Sequence, residues 1–222
     1  MLRFTAQTII RTTPDQLFAL ATDLRKRVVQ NGERFVEVVV ESLQRLQAQL
    51  HGEDPTAKYL WDGDRPKDEG AIRDWIRRFL NDDDVLPRLV TNKEVEVFDR
   101  YYTDIKIEAV GRGSRRTLDP TLVVTIEVKG CWHDELKQAL ETQLVDKYLR
   151  DSASPFGIYL VAWFNGANWT DVDGRKKRCH CWSKAEMEEC LASQAEDLRR
   201  KGLFVVPFVL DCTVPKQTKP SA

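Results

Sequence analysis

Glu127 and Lys129 lie two residues apart near the end of the run TLVVTIEVK, Thr121–Lys129. The run is rich in β-branched apolar residues and has the length of a buried strand. Side chains alternate faces along a strand, so Glu127 and Lys129 share one face while Ile126 and Val128 share the other. A carboxylate and an amine on an otherwise apolar strand are costly to bury unless the site needs charge. A divalent metal beside a phosphodiester is one such need. Phosphodiester hydrolysis uses a metal that activates water and neutralises the scissile phosphate. Magnesium prefers oxygen ligands and keeps several waters, so two or three carboxylates suffice. A lysine beside it can orient the water or stabilise developing charge.

Asp104 is the natural companion. It opens a run in which Ile105, Ile107 and Ala109 form the opposite face. Paired antiparallel through the Gly111–Pro120 connection, the start of that strand meets the end of Thr121–Lys129. Asp104 and Glu127 could then share one ion. Glu69 precedes Ile72 and Ile76 by three and seven residues, on the inward face of a helix near its start. Gln143 falls among Leu136, Ala139 and Leu140 on a helical wheel, and an amide in an apolar stripe needs partners. It could hold a water or the lysine. The spelling acid-x-Lys itself recurs at Asp104/Lys106 and Glu135/Lys137. Only Glu127/Lys129 ends an apolar strand with an acid before it and a helix after it, so the context carries the inference.

These residues need elements to hold them. Leu17, Leu20, Leu24 and Val28 recur at helical spacing after Pro14-Asp15, and Val36, Val39, Leu43, Leu46 and Leu50 form a second helical seam after Asn31-Gly32. Together they predict an N-terminal helical hairpin over residues 1–60, packing on its own domain or on a neighbouring domain or subunit, with a dimer seam as the alternative. The Gly-, Asp- and Pro-rich stretch His51–Lys67 reads as a boundary. Beyond it, Asp68–Leu80 is an amphipathic helix. Glu94–Phe98, Asp104–Val110 and Thr121–Lys129 are strands, and Glu135–Leu149 is a helix. Phe156–Phe164 is an apolar strand, and Ser183–Lys201 is a helix opened by a Ser183/Glu186 capping box. Leu203–Leu210 is a last strand, placed at an edge by Pro207. The first three strands suit an antiparallel meander. The strands around Glu135–Leu149 suit parallel pairing through a right-handed crossover. The expected class is α/β, a mixed central sheet flanked by helices in one domain over 61–212, followed by a flexible tail over 213–222.

Composition narrows the function. The net charge is −1, so a global basic excess is absent and any nucleic-acid surface must be local. Arg112, Arg115 and Arg116 cluster in the turn between the two acid-bearing strands, and Arg175, Lys176, Lys177 and Arg178 form a second basic run. Both could track a phosphate backbone, with Trp169 and Trp182 as candidate stacking platforms. No apolar run reaches membrane-span length and the N-terminus lacks a signal-peptide layout, so no membrane partner and a cytoplasmic setting are expected. Five cysteines, an odd number without an export signal, read as reduced thiols. Cys179-His180-Cys181 with Cys190 lacks the second ligand pair at short spacing that structural zinc uses.

Asp104 followed by Glu127-Val128-Lys129, inside the order α-β-β-β-α-β, resembles the PD-(D/E)XK nuclease superfamily. The segments PKDEGAIRDWIRRFLNDD, NKEVEVFDRYYTDIKIEA, VVTIEVKGCWHDELKQALETQLVDKYL and FGIYLVAWF are similar to a nuclease-like domain at the C-terminus of large bacterial proteins of defence type. The resemblance runs from about Trp61 to Leu210. It implies a restriction-endonuclease-like core with an extra helix and strand. It further implies Mg²⁺ or Mn²⁺ at Asp104 and Glu127, Lys129 and Gln143 as catalytic residues, and Glu69 as the accessory metal acid. The activity implied is nuclease action, on DNA before RNA, as the effector part of a larger assembly. Thr103 stands where the superfamily pattern has proline, and Tyr148 follows Gln143 by five residues, one more than in RecB-type members. The superfamily also has inactive members, so a nucleic-acid-binding or interaction module without catalysis is the alternative, and an RNase a third.

Overall fold

The computed structural model describes residues 31–82, 89–98, 101–109, 122–136, 138–149, 154–164, 168–179 and 183–214. The expected first N-terminal helix, the Arg112, Arg115 and Arg116 turn, Trp182 and the tail from 215 lie outside them, as does the side chain of Tyr148.

Helix α1, Gly32–His51, begins at Asn31, whose side chain accepts the Arg34 N–H at 2.8 Å. That contact satisfies one of the donors orphaned at a helix start. Phe35, Val36, Val39, Leu43, Leu46 and Leu50 are all buried. The seam that spacing alone left open to a partner therefore packs at home, against the central sheet. A small hairpin of β1, Trp61–Asp62, and β2, Arg65–Pro66, leads to α2, Glu69–Asp82. Asp68 caps α2 by accepting the Ala71 N–H at 2.7 Å.

A five-stranded sheet follows in the order β3-β4-β5-β6-β7: Leu89–Phe98, Tyr101–Ala109, Leu122–Gly130, Phe156–Trp163 and Phe204–Asp211. Strands β3, β4 and β5 are antiparallel neighbours, while β5–β6 and β6–β7 are parallel. The fold is thus α/β around a mixed sheet. Pro207 sits on β7, an edge strand, where its missing N–H costs no ladder bond. Gln47 of α1 blunts that edge by exchanging hydrogen bonds with Asp211 N–H (2.7 Å) and C=O (3.0 Å).

Several elements differ from expectation: β3 and β4 begin before the expected Glu94 and Asp104, and the His51–Lys67 stretch, read as a loop, holds the β1–β2 hairpin. The helix expected over Glu135–Leu149 starts at Leu140 and is α3, a wide π-type helix over Leu140–Leu149. Residues before it form turns. Tyr159 of β6 donates its hydroxyl to the Leu136 carbonyl at 2.8 Å, tying this turn to the sheet. The basic run expected as loop is a short helix, α4, Gly174–Arg178, because Asp173 accepts the Arg175 N–H and starts it. Helix α5, Lys184–Arg200, carries both bonds of the expected capping box.

The start of α1 meets the start of β6 closely. A Cβ on Gly32 would fall 1.9 Å from the Phe156 ring. Gly32→Ala is expected to cost roughly 1–3 kcal/mol by displacing Phe156, read as a lowered midpoint in urea denaturation; an unchanged midpoint would show that α1 docks more loosely than this.

Candidate active site

Strand β5 is buried along most of its length, yet carries Thr125, Glu127 and Lys129 on one face. Glu127 is 1% exposed. Lys129 Nζ lies 2.7 Å from Glu127 Oε1, the same-face neighbour that strand alternation requires. Glu127 pairs across the parallel ladder with Tyr159, whose hydroxyl already donates to Leu136. Glu127 Oε2 is buried and has no hydrogen-bond partner among the described residues.

Asp104 arrives from β4. The β4–β5 pairing sets Ile105 opposite Ile126, and one step further Asp104 reaches back into β5 with its side chain. Its Oδ2 accepts the Val128 N–H at 2.8 Å, between Glu127 and Lys129. Oδ1 lies 3.5 Å from Arg73 Nη1 of α2. The sequence thus brought Asp104, Glu127 and Lys129 together as expected. Glu69, at the first turn of α2, binds elsewhere in the same corner. Its Oε1 accepts the Gly130 N–H at 2.9 Å, anchoring α2 to the end of β5. Among the described residues no group of three or more His, Cys, Asp or Glu side chains gathers tightly enough to hold an ion unaided. Gln143 does not sit against Lys129. The wide α3 turns its amide toward Glu135, whose Oε2 accepts from Nε2 at 3.1 Å.

Electrostatics follow from burial. Desolvation, then the Asp104 charge, push the Glu127 carboxyl up to about 7, with Lys129 pulling the other way. Burial also raises Asp104, against the Val128 N–H and the Lys129 and Arg73 charges. Lys129 is held above its usual value, because the Glu127, Asp104 and Glu69 charges together outweigh its desolvation. It is a firm ammonium at neutral pH.

Beside this corner a cleft of about 690 Å³ is lined by Asp68, Glu69, Trp132, His133, Gln143 and Arg175, among others. His133 is the residue sequence reasoning passed over. It lies three residues beyond Gly130, and its Nδ1 accepts the Glu135 N–H at 3.2 Å. That bond fixes the neutral ring with its proton on Nε2. Burial lowers its pKa further. Its position just past a charged strand end was the available signal.

The basic run is partly structural. Arg175 bonds Asp173 and the Pro66 carbonyl and stacks 4.9 Å from the Trp132 ring. Its hydrogen bonds hold Asp173 well below the usual carboxylate range. Lys176 bonds Asp171 and the Trp169 carbonyl. Trp169 is itself buried, its Nε1 donating to Asp173, so it offers no face to a base. Arg178 meets Asp134 at 3.3 Å on the exposed rim, and Lys177 is exposed. Arg112, Arg115 and Arg116 lie outside the described residues.

No protein-family model, curated protein or solved structure matches the chain.

Glu127 makes stability depend on pH. Its folded value lies above the unfolded one, so the folded state keeps a proton that the unfolded chain releases first. This contribution is full below about pH 4.5 and is lost as pH rises through about 7. In EDTA the melting midpoint is expected to fall from pH 5 to pH 8, by a few kcal/mol of stability at most, and Glu127→Gln should flatten the fall. A slope untouched by that change contradicts the burial argument. Separately, Arg175→Ala should cost roughly 1–3 kcal/mol by removing the ion pair to Asp173 and the bond to Pro66, while Lys177→Ala stays within ~0.5 kcal/mol; calorimetric melting distinguishes the two.

Proposed function

We propose that this chain is a metal-dependent nuclease acting on DNA, the effector part of a larger assembly. The observation that carries the reading is the corner itself. Asp104 is hydrogen-bonded to the backbone between Glu127 and Lys129, and Glu127 presents a buried, unpartnered oxygen. A lone buried carboxylate oxygen is costly, and a divalent cation is the partner that would satisfy it. The donor set fits magnesium or manganese, since Asp104 and Glu127 offer hard carboxylate oxygens. The element order α2-β3-β4-β5-α3-β6, with an antiparallel meander joined to a parallel pair, supports a restriction-endonuclease-like core. So does the resemblance of the same segments to the PD-(D/E)XK superfamily.

In this reading Asp104 and Glu127 hold the ion, with Glu69 steadying the strand end through Gly130. Bound there, the ion would supply positive charge against the scissile phosphate and acidify the attacking water. Lys129, a stable ammonium fixed by Glu127, donates to that water or to a phosphate oxygen. Gln143, held by Glu135, and His133, with its proton on Nε2, line the cleft beside the corner and supply neutral donors to a phosphate path. Arg178 on the rim, with exposed Lys177 next to it in the chain, adds the local positive charge that a backbone requires.

An inactive interaction module is the second reading, favoured by one observation: Glu69 is engaged by the Gly130 N–H rather than gathered with Asp104 and Glu127.

The nuclease reading predicts plasmid cleavage that needs Mg²⁺ or Mn²⁺ and drops by at least about 100-fold in Lys129→Ala, on the scale of a lost transition-state donor, with the fold intact by circular dichroism at the assay temperature although the stranded Glu127 lowers the melting midpoint. Mn²⁺ should also raise the melting midpoint of the unaltered chain but not of Glu127→Gln. Cleavage surviving in both Lys129→Ala and Glu127→Ala would falsify it, and a metal-independent melt with intact nucleic-acid binding favours the inactive module.

A further inference from the structure

Two thiols meet behind the cleft wall. Cys131 follows Gly130 at the end of β5 and is fully buried. Cys179 ends α4 and is partly exposed. Although 48 positions apart in the chain, their sulfurs lie 3.0 Å apart and share a hydrogen bond. A disulfide needs about 2.05 Å between sulfurs, so roughly one ångström of approach would join them. Both approach from anchored backbone. The Cys131 N–H donates to Ala162 of β6, and the Cys179 N–H donates to Arg175 and Lys176 carbonyls of α4.

We propose that Cys131 and Cys179 form an oxidisable dithiol, a site for peroxide-class oxidants in which Cys179 reacts first and Cys131 closes a disulfide. The division of labour follows from position: Cys179 can be reached from solvent, whereas Cys131 can be reached only by its neighbour. The shared hydrogen bond supports it, lowering the Cys179 pKa and, with burial, raising that of Cys131. The Cys179 sulfur attacks one oxygen of hydrogen peroxide, the O–O bond breaks, and one water leaves with the thiol proton. Cys179 is then a sulfenic acid. The Cys131 sulfur attacks that sulfur, the S–O bond breaks, and the hydroxyl leaves as a second water with the Cys131 proton. Two thiols are oxidised by two electrons and one peroxide is reduced to two waters.

The bond would tie α4, which contributes Arg175 and Arg178 to the cleft, to the end of the strand carrying Glu127 and Lys129. The site does not depend on the nuclease reading, since it requires only the two thiols. Buried Cys212, whose Sγ lies 3.4 Å from the Leu210 carbonyl, is the competing internal thiol, and Cys181 is the competitor nearest in sequence to Cys179.

The test treats the full chain with hydrogen peroxide, blocks remaining thiols in denaturant and maps disulfide-linked peptides by mass spectrometry. Five titratable thiols should fall to three, with one linked pair, Cys131–Cys179. Cys179→Ser should abolish the pair, while Cys181→Ser and Cys190→Ser leave it intact. Retention of all five thiols overturns the proposal. So does a dominant linkage through Cys212, Cys181 or Cys190, or between two chains.

Discussion

Burying Glu127 at the centre of a covered sheet removes a carboxylate from water, and one ion pair at 2.7 Å to Lys129 returns only part of that cost. The rest of the corner is arranged around this shortfall. Asp104 adds a second negative charge close enough to raise Glu127 further, and a fold selected for stability alone would avoid it. Lys129 and Arg73 temper the charge without cancelling it. The Glu127 oxygen left over is the one that a cation would complete.

The surrounding elements make sense as supports for that corner. Parallel pairing of β5 with β6 places Tyr159 beside Glu127, and the Tyr159 hydroxyl reaches on to Leu136. A Cβ on Gly130 would fall 2.5 Å from the Trp132 ring, so glycine at the end of β5 lets the indole fold back against the strand. Arg175 then lies over Trp132 and ties α4 to the β1–β2 hairpin through Pro66.

Much of this was legible in the sequence because it depends on short-range rules. Alternation along β5 put Glu127 and Lys129 on one face, and the edge position of β7 followed from Pro207. The capping box of α5 followed from Ser183 and Glu186. The pairing of Asp104 with the end of β5 followed from antiparallel geometry. What was not legible depends on contacts distant in sequence. Nothing near Leu136 announces its bond to Tyr159, and nothing in the spacing of Glu135–Leu149 announces a π-type helix or the bond from Gln143 to Glu135. Trp169 looked like a stacking platform because its partner Asp173 and its buried neighbours Trp132 and Phe164 come together only in the fold. The Cys131–Cys179 meeting is of the same kind.

The proposed function rests on Asp104 and Glu127 sharing one divalent ion. Anomalous diffraction from crystals soaked in Mn²⁺ tests it most directly. The account predicts a manganese peak at about 2.0–2.3 Å from both an Asp104 oxygen and Glu127 Oε2, absent in Glu127→Gln crystals. A peak elsewhere in the molecule, or none at this corner with Lys129 still closed on Glu127, would contradict it.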